Sequence, residues 1–336
     1  MPRRMMAWEV AAPGPLDTGP LVLVGRPVPE PGPNELLIRI TACAMCRIDL
    51  HLVQGDLPPR RPGVVPGHEA VGRVEAVGAD VLLWEVGQRA GIPWLRRTCG
   101  VCRYCERGAE NLCLNAEFTG WDADGAFAEY ATVPAVYAYR MPEEGYTDAE
   151  LAPLLCGGIT AWRARALAQM PMGGRLGIYG YGTAVQLAAQ VAVRQTDRVH
   201  VFSPSASERQ LALDLGAVWA GDPAEPPPEP LRAAMVFAPA GDLVPVALSA
   251  LERAGTLVIV GVHLSDLPAL RYAEHLYFER TVRSVTSNTR RDGQDFLAHA
   301  AAFPLRVAVT PYRLDQADRA LADFAADRVS GAAVLA

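Results

Sequence analysis

Four cysteines, Cys99, Cys102, Cys105 and Cys113, are separated by two, two and seven residues in a loop rich in glycine and arginine. Few sequence features limit a fold so tightly. Short spacings of this kind let four thiolates reach one ion at about 2.3 Å in a tetrahedron, which is the pattern of a closed structural zinc site. The four sulfurs around Zn²⁺ leave a local charge of about −2, and Arg96, Arg97, Arg103 and Arg107 stand in the same stretch to offset it. An iron–sulfur cluster fits less well, because the fourth cysteine lies too far on and Leu114, not proline, follows it. Disulfides are disfavoured too. The seven cysteines are an odd number, and Met1-Pro-Arg-Arg-Met leads into Trp8-Glu9-Val10 and a Pro/Gly turn instead of an apolar signal core. A cytoplasmic chain, where disulfides are rare, is the expectation.

Three cysteines remain. Cys43 and Cys46 lie on the nine-residue stretch Cys43-Ala-Met-Cys46-Arg47-Ile48-Asp49-Leu50-His51, just after a strand-like run, and Cys156 stands alone. Gly67-His68-Glu69-Ala-Val-Gly72 opens an alternating strand that runs to Val77, and it lacks the second histidine of a helical zinc-protease motif. A catalytic zinc takes three protein ligands and keeps a fourth position open, and two cysteines with one histidine are an attested set. Either Cys43 or Cys46 could join His68 and Cys156 in such a site. Both together would close it as Cys₃His, and spacing alone does not separate the two arrangements.

At 336 residues, half of them hydrophobic, the chain can bury more than one core. No apolar run approaches the roughly 18 residues of a membrane span. A net charge of −6 argues against nucleic acid as a partner. All 31 basic residues are arginine, which excludes chemistry that needs a phosphate-loop, Schiff-base or general-base lysine.

Residues 1 to 35 read as hairpins and turns. After Cys156 the texture changes: a helix from Thr160 to Ala168, a strand from Arg175 to Tyr179, the turn Gly180-Tyr-Gly182-Thr183-Ala184-Val185, then a helix from Gln186 to Arg194. Strand, glycine turn and helix in that order suit a dinucleotide fold, with pyrophosphate at the helix N-terminus. Strands at 198–202, 233–237 and 256–260 alternate with helices at 207–215 and 243–251. That alternation predicts an α/β doubly wound parallel sheet. Two more helices are expected in the tail, at 295–302 and 314–326.

Taken together, these motifs resemble the zinc-dependent alcohol dehydrogenases of the medium-chain dehydrogenase/reductase superfamily, from about residue 5 to the C-terminus. Gly67-His68-Glu69-x-x-Gly72, with Gly78 and Val81, matches the family's zinc signature. The lobe at 95–115 matches its structural zinc. Cys46-Arg47-x-Asp49-x-His51 and Leu155-Cys156 match its other catalytic-zinc segments. The resemblance implies a GroES-like catalytic domain at 1–154 and 289–336, wrapped around a Rossmann domain at 155–288, with catalytic zinc and cofactor meeting in the cleft between them. It implies two zinc ions per chain, one catalytic (Cys46, His68, Cys156) and one structural (Cys99, Cys102, Cys105, Cys113), with Cys43 beside the ligands but not among them. NAD or NADP would be the hydride carrier, and zinc a Lewis acid on the substrate oxygen. By the same resemblance Asp49 orients the His68 imidazole, Glu69 sits behind the metal, His51 ends a proton relay and Arg47 lies near the cofactor pyrophosphate. Gly180, Gly182, Thr183, Ala184, Val185 and Ser203 would line the cofactor. Ile48, Trp94, Phe118 and Trp121 would make a bulky apolar pocket for a small-molecule substrate. A homodimer or homotetramer is implied as well.

Four positions depart from the family pattern. Ile48 replaces the Ser or Thr whose hydroxyl takes the substrate's proton, so the relay loses its inner end. Thr183 and Val185 stand where small residues are usual, and a valine there should push the helix away or crowd the pyrophosphate. Ser203-Pro204 replaces the acid that binds adenosine ribose hydroxyls, and no arginine immediately follows to argue for NADP. Gly331-Ala332-Ala333 lacks an arginine found in many relatives. Three of the four bear on the dinucleotide. They leave a second reading beside the alcohol dehydrogenase: a diverged zinc reductase of a conjugated alkene or imine, or a redox-neutral zinc Lewis-acid enzyme.

Overall fold

A computed structural model describes residues 3–180, 182–195, 197–261 and 264–336. Tyr181, inside the predicted glycine turn, lies outside them. The chain divides into two compact units, Met1–Cys156 with Thr289–Ala336, and Gly157–Asn288.

The first unit is built on the strand Glu35–Ala44. It pairs antiparallel with Glu69–Val77 along one edge; on the other it pairs with Tyr130–Pro134 at its start and Ala332–Leu335 at its end. The sheet continues through Arg89–Ile92 and Tyr139–Arg140 on one side and Val309–Tyr312 on the other. The expected N-terminal hairpin is present, as Arg4–Val10 against Leu21–Pro27. Register is what brings the motifs together. Ala44 lies opposite Glu69 and Cys43 opposite Ala70, so Cys46, two residues beyond the ladder, arrives beside His68. Two glycines make this possible. At Gly72 an added Cβ would stand 2.2 Å from the Arg39 carbonyl oxygen, and Gly67 has a φ of +97°, with Phe127 2.6 Å from where its Cβ would be.

The second unit is a six-stranded parallel sheet: Arg175–Tyr179, Arg198–Phe202, Trp219–Gly221, Leu231–Val236, Leu251–Ile259 and Thr281–Ser284. In space they run third, second, first, fourth, fifth, sixth, which is the order of a Rossmann sheet. The first two strands fall on the residues expected, and the helix after the glycine turn starts three residues earlier than expected, at Thr183.

Val185 lies in that helix's first turn. Together with Ala188, Ala189 and Ala192 it forms the buried stripe of Thr183–Arg194, and it is 4% exposed. The three alanines leave room for the branched side chain in the core. Tyr179, at the end of the first strand, stacks on Phe202 at 4.0 Å, and its buried hydroxyl has no hydrogen-bond partner among the described residues.

Candidate metal centres and dinucleotide turn

The lobe gathers its four cysteines through a short helix, Arg103–Glu106, and a 3-10 turn, Glu110–Leu112. The Sγ atoms of Cys99 and Cys113 are 3.5 Å apart and those of Cys102 and Cys105 3.6 Å. A tetrahedron with arms of about 2.3 Å has edges of about 3.8 Å, so this spacing fits a zinc thiolate centre. Main-chain donors favour the thiolates. N–H groups led by that of Cys105 bring the Cys102 thiol down to about 6, while burial pushes Cys113 up to about 11. Glu110 anchors the lobe, accepting from the Arg290 backbone N–H (2.8 Å) and from its guanidinium (2.7–3.1 Å).

The arginines near the lobe are not all there to offset its charge. Arg96 is buried and donates to Glu35 (2.7 Å) and to the Thr132 carbonyl (2.5 Å). Alternation along the strand Leu95–Arg97 turns Arg96 inward and Arg97 outward, where it meets Glu117 at 3.6 Å. Arg103 and Arg107 both lie over the Tyr104 ring, at 4.8 and 4.7 Å.

The second cluster joins Cys46, His68, Glu69 and Cys156, each offering one ligand atom within 4.8 Å of the others. Cys46 precedes the helix Arg47–Gln54, and Cys156 follows the buried turn Ala152–Leu155. Leu155 packs against Gly91, where an added Cβ would be 2.8 Å from its Cδ2. The two sulfurs are 4.0 Å apart, and His68 Nε2, fully buried, has no hydrogen-bond partner among the described residues. A buried imidazole nitrogen without a partner is costly. Facing two thiols and a carboxylate, it fits a soft divalent ion such as Zn²⁺. The Cys156 sulfur, and after it burial, raises the Cys46 thiol's pKa, so both sulfurs ionise together only with a cation between them. Cys43 is fully buried on the strand and outside the cluster.

Asp49 ties the cluster together. At 1% exposure, its Oδ2 accepts from the Cys46 N–H (2.9 Å), and its Oδ1 from the Gly67 N–H (3.0 Å) and His68 Nδ1 (3.1 Å). Burial alone would lower the His68 pKa, but the Asp49 carboxylate outweighs it and holds it well above the usual imidazole value. Glu69 is pushed up by burial and then by Cys46.

Around these residues the other predicted positions fall into two groups. Trp94 meets His68 edge-on at 4.8 Å and stacks with Phe118 (4.9 Å) and Trp121 (6.1 Å), so the three predicted pocket aromatics form one wall. Arg60, which the sequence did not single out, lies 3.7 Å over Trp121. Ile48 is buried at 6% exposure on the same helix as Asp49. His51 and Arg47 lie farther out: His51 Nδ1 is 3.0 Å from Asp56, and Arg47 reaches Asp327 at 3.4 Å. Ala333, in the arginine-free stretch Gly331-Ala332-Ala333, accepts from the Met45 N–H at 2.9 Å and so braces the loop. A groove of about 840 Å³ beside Leu82, Leu83 and the helix Arg290–Ala302 contains none of these residues.

In the second unit Gly180 and Gly182 take φ of +123° and +97°, and Gly182 precedes the helix Thr183–Arg194. A Cβ at Gly180 would stand 2.9 Å from the Ala238 nitrogen, so the turn needs glycine there. Ser203 directly follows the second strand and is fully buried.

Residues 32–143 match the alcohol dehydrogenase GroES-like domain family. A probable alcohol dehydrogenase, AdhA, of Mycobacterium tuberculosis is 53% identical over 98% of this chain and 97% of its own length. The chain belongs to the zinc-dependent alcohol dehydrogenase family. An alcohol dehydrogenase of Geobacillus stearothermophilus is 34% identical over 93% of this chain and 94% of its own. Among solved structures, a cobalt- and zinc-bound thermostable alcohol dehydrogenase from Pyrobaculum aerophilum superposes with a TM-score of 0.90 at 25% identity, covering 99% of this chain and 100% of that one. This member of the alcohol dehydrogenase family is therefore an oxidoreductase with a GroES-like domain and a Rossmann sheet.

Proposed function

We propose that the protein is a zinc-dependent, NAD(P)-linked oxidoreductase that interconverts an alcohol and an aldehyde or ketone. The observation that carries this reading is the meeting of Cys46, His68 and Cys156 around a buried Nε2 that has no hydrogen-bond partner among the described residues. Zinc held there would polarise the substrate oxygen, and a nicotinamide would take or give the hydride. Zinc in the Pyrobaculum aerophilum relative supports the choice of metal. Asp49 accepts from His68 Nδ1 and so leaves Nε2 to face the metal. The Trp94–Phe118–Trp121 wall keeps water from one side and favours a bulky apolar or aromatic substrate. Gly180 to Val185 would receive the pyrophosphate. Assembly as a homodimer or homotetramer is proposed on the family resemblance. The direct test is alcohol-dependent formation of reduced nicotinamide by the purified protein; no formation with any of a panel of aliphatic and aromatic alcohols, at millimolar NAD and NADP, would sink the proposal.

Ile48 shapes how the proton leaves. It offers neither donor nor acceptor, so the substrate hydroxyl has no side-chain proton acceptor at that position. Ile48→Thr is expected to raise alcohol oxidation toward the roughly 10²-fold lower end of general acid–base effects. Unchanged turnover with zinc retained would show that this position handles no proton here. Ile48 also favours the second reading, a reductase of a conjugated alkene or imine. Faster turnover of such substrates than of any alcohol–carbonyl pair would select it.

A further inference from the structure

We infer that the Rossmann unit selects NADP over NAD, with Arg209 as the residue that recognises the adenosine 2′-phosphate. The inference rests on the dinucleotide-linked reading above and deepens it. In folds of this kind an acid at the end of the second strand takes the ribose hydroxyls of NAD, whereas a nearby arginine accommodates the 2′-phosphate of NADP. Here the strand Arg198–Phe202 ends on Ser203, whose Oγ is occupied by the Ser205 N–H at 3.1 Å. No arginine follows directly in sequence, but folding supplies one. The helix Ala206–Asp214 turns back, and Arg209 Nη1 donates to the carbonyl oxygens of Ser203 (2.8 Å) and Pro204 (3.1 Å).

Those two carbonyls fix the guanidinium at the strand end through one nitrogen. Among the described residues no carboxylate pairs with it, and Nε and Nη2 make no hydrogen bond. A planar fork with free donors, half-exposed and held in place, suits a phosphate dianion. Ser205 and Ser207 stand in the same segment, their hydroxyls hydrogen-bonded to each other at 2.9 Å, and Ser205 Oγ also accepts from the Glu208 N–H at 3.4 Å. One group opposes this arrangement. Glu208, beside Arg209 in sequence, carries the only carboxylate in the segment Ser203–Arg209 and could instead accept from the ribose hydroxyls of NAD.

The test uses adenosine fragments, whose binding needs neither metal nor substrate. Calorimetry on the full chain compares 2′,5′-ADP with 5′-AMP. The expected result is 2′,5′-ADP binding about 10- to 100-fold more tightly, the range of a hydrogen bond to a charged group. Arg209→Ala should erase that difference while leaving 5′-AMP within about twofold, and Arg209→Lys should keep part of it. Glu208→Gln should leave the preference intact. Equal binding of the two fragments by the wild type, or a preference that survives Arg209→Ala in a protein with unaltered thermal unfolding, overturns the inference and leaves the proposed function standing. If neither fragment nor either whole dinucleotide binds, the dinucleotide-linked reading fails first and takes the inference with it.

Discussion

Asp49→Ala is expected to remove one of two bound zinc ions and nearly all alcohol turnover, although the residue is not itself a candidate ligand. Its carboxylate accepts from Cys46, Gly67 and His68 at 2.9–3.1 Å. It therefore fixes two of the three chain segments that carry candidate ligands, and the tautomer of the His68 imidazole. Without it two buried N–H groups lose their acceptor, at about 1–3 kcal/mol each, and the ring is free to turn. Loss of such a partner weakens metal binding by about 10- to 100-fold. Asp49→Asn keeps the shape but points an NH₂ group at an N–H donor, so it should fail nearly as badly. Metal analysis after dialysis should fall from about two zinc ions per chain to about one, the lobe's ion remaining. Full retention of both ions would mean that Asp49 only packs.

The second large effect concerns stability. Arg165 makes a paired contact with Asp197, Nε to Oδ2 at 2.5 Å and Nη2 to Oδ1 at 3.0 Å, and the Asp197 side chain is wholly buried. Arg165→Ala leaves a buried carboxylate without its cation, a change that costs about 3–5 kcal/mol, while Arg165→Met with Asp197→Leu should be close to neutral. The pH dependence has a definite sign. Burial raises the Asp197 pKa above the usual carboxylate value, more than Arg165 lowers it. The folded state therefore holds that proton more tightly than the unfolded one. Its contribution to stability is full below the unfolded pKa and is lost as pH rises through the folded pKa. Without Arg165 the pKa rises further, so the defect in Arg165→Ala should shrink toward acid pH. Urea unfolding at several pH values reads both effects, and a defect independent of pH would contradict this account.

How much of this was legible in the sequence depends on how local the cause is. Cysteine spacing and the Gly67-His68-Glu69 signature carry their chemistry within a few residues, and the ladder register of Cys43 and Ala44 against Ala70 and Glu69 then joins them. The first strands and helix of the Rossmann unit were readable because alternation and a glycine turn are local too. Three matters were not. Arg96 lies next to the lobe in sequence, but strand alternation sends it to Glu35. Val185 reads as an obstruction in the sequence, and the structure places it in the buried stripe of its own helix with Ala188, Ala189 and Ala192. Arg209 stands six residues after Ser203, and only the return of the helix places it at the strand end. Each depends on which way a side chain points, which spacing along the chain does not reveal.

A metal held by Cys46, His68 and Cys156 is proposed to support nicotinamide-linked alcohol chemistry. This role is tested most directly by following alcohol-dependent reduction of NAD and NADP before chelation, after chelation and after zinc is restored, in the wild type and in Cys46→Ala. Wild-type turnover is expected to disappear on chelation and to return with zinc. Cys46→Ala should keep its fold and the lobe zinc but show turnover under none of the three conditions. Undiminished turnover by zinc-free protein, or by Cys46→Ala, would contradict that role.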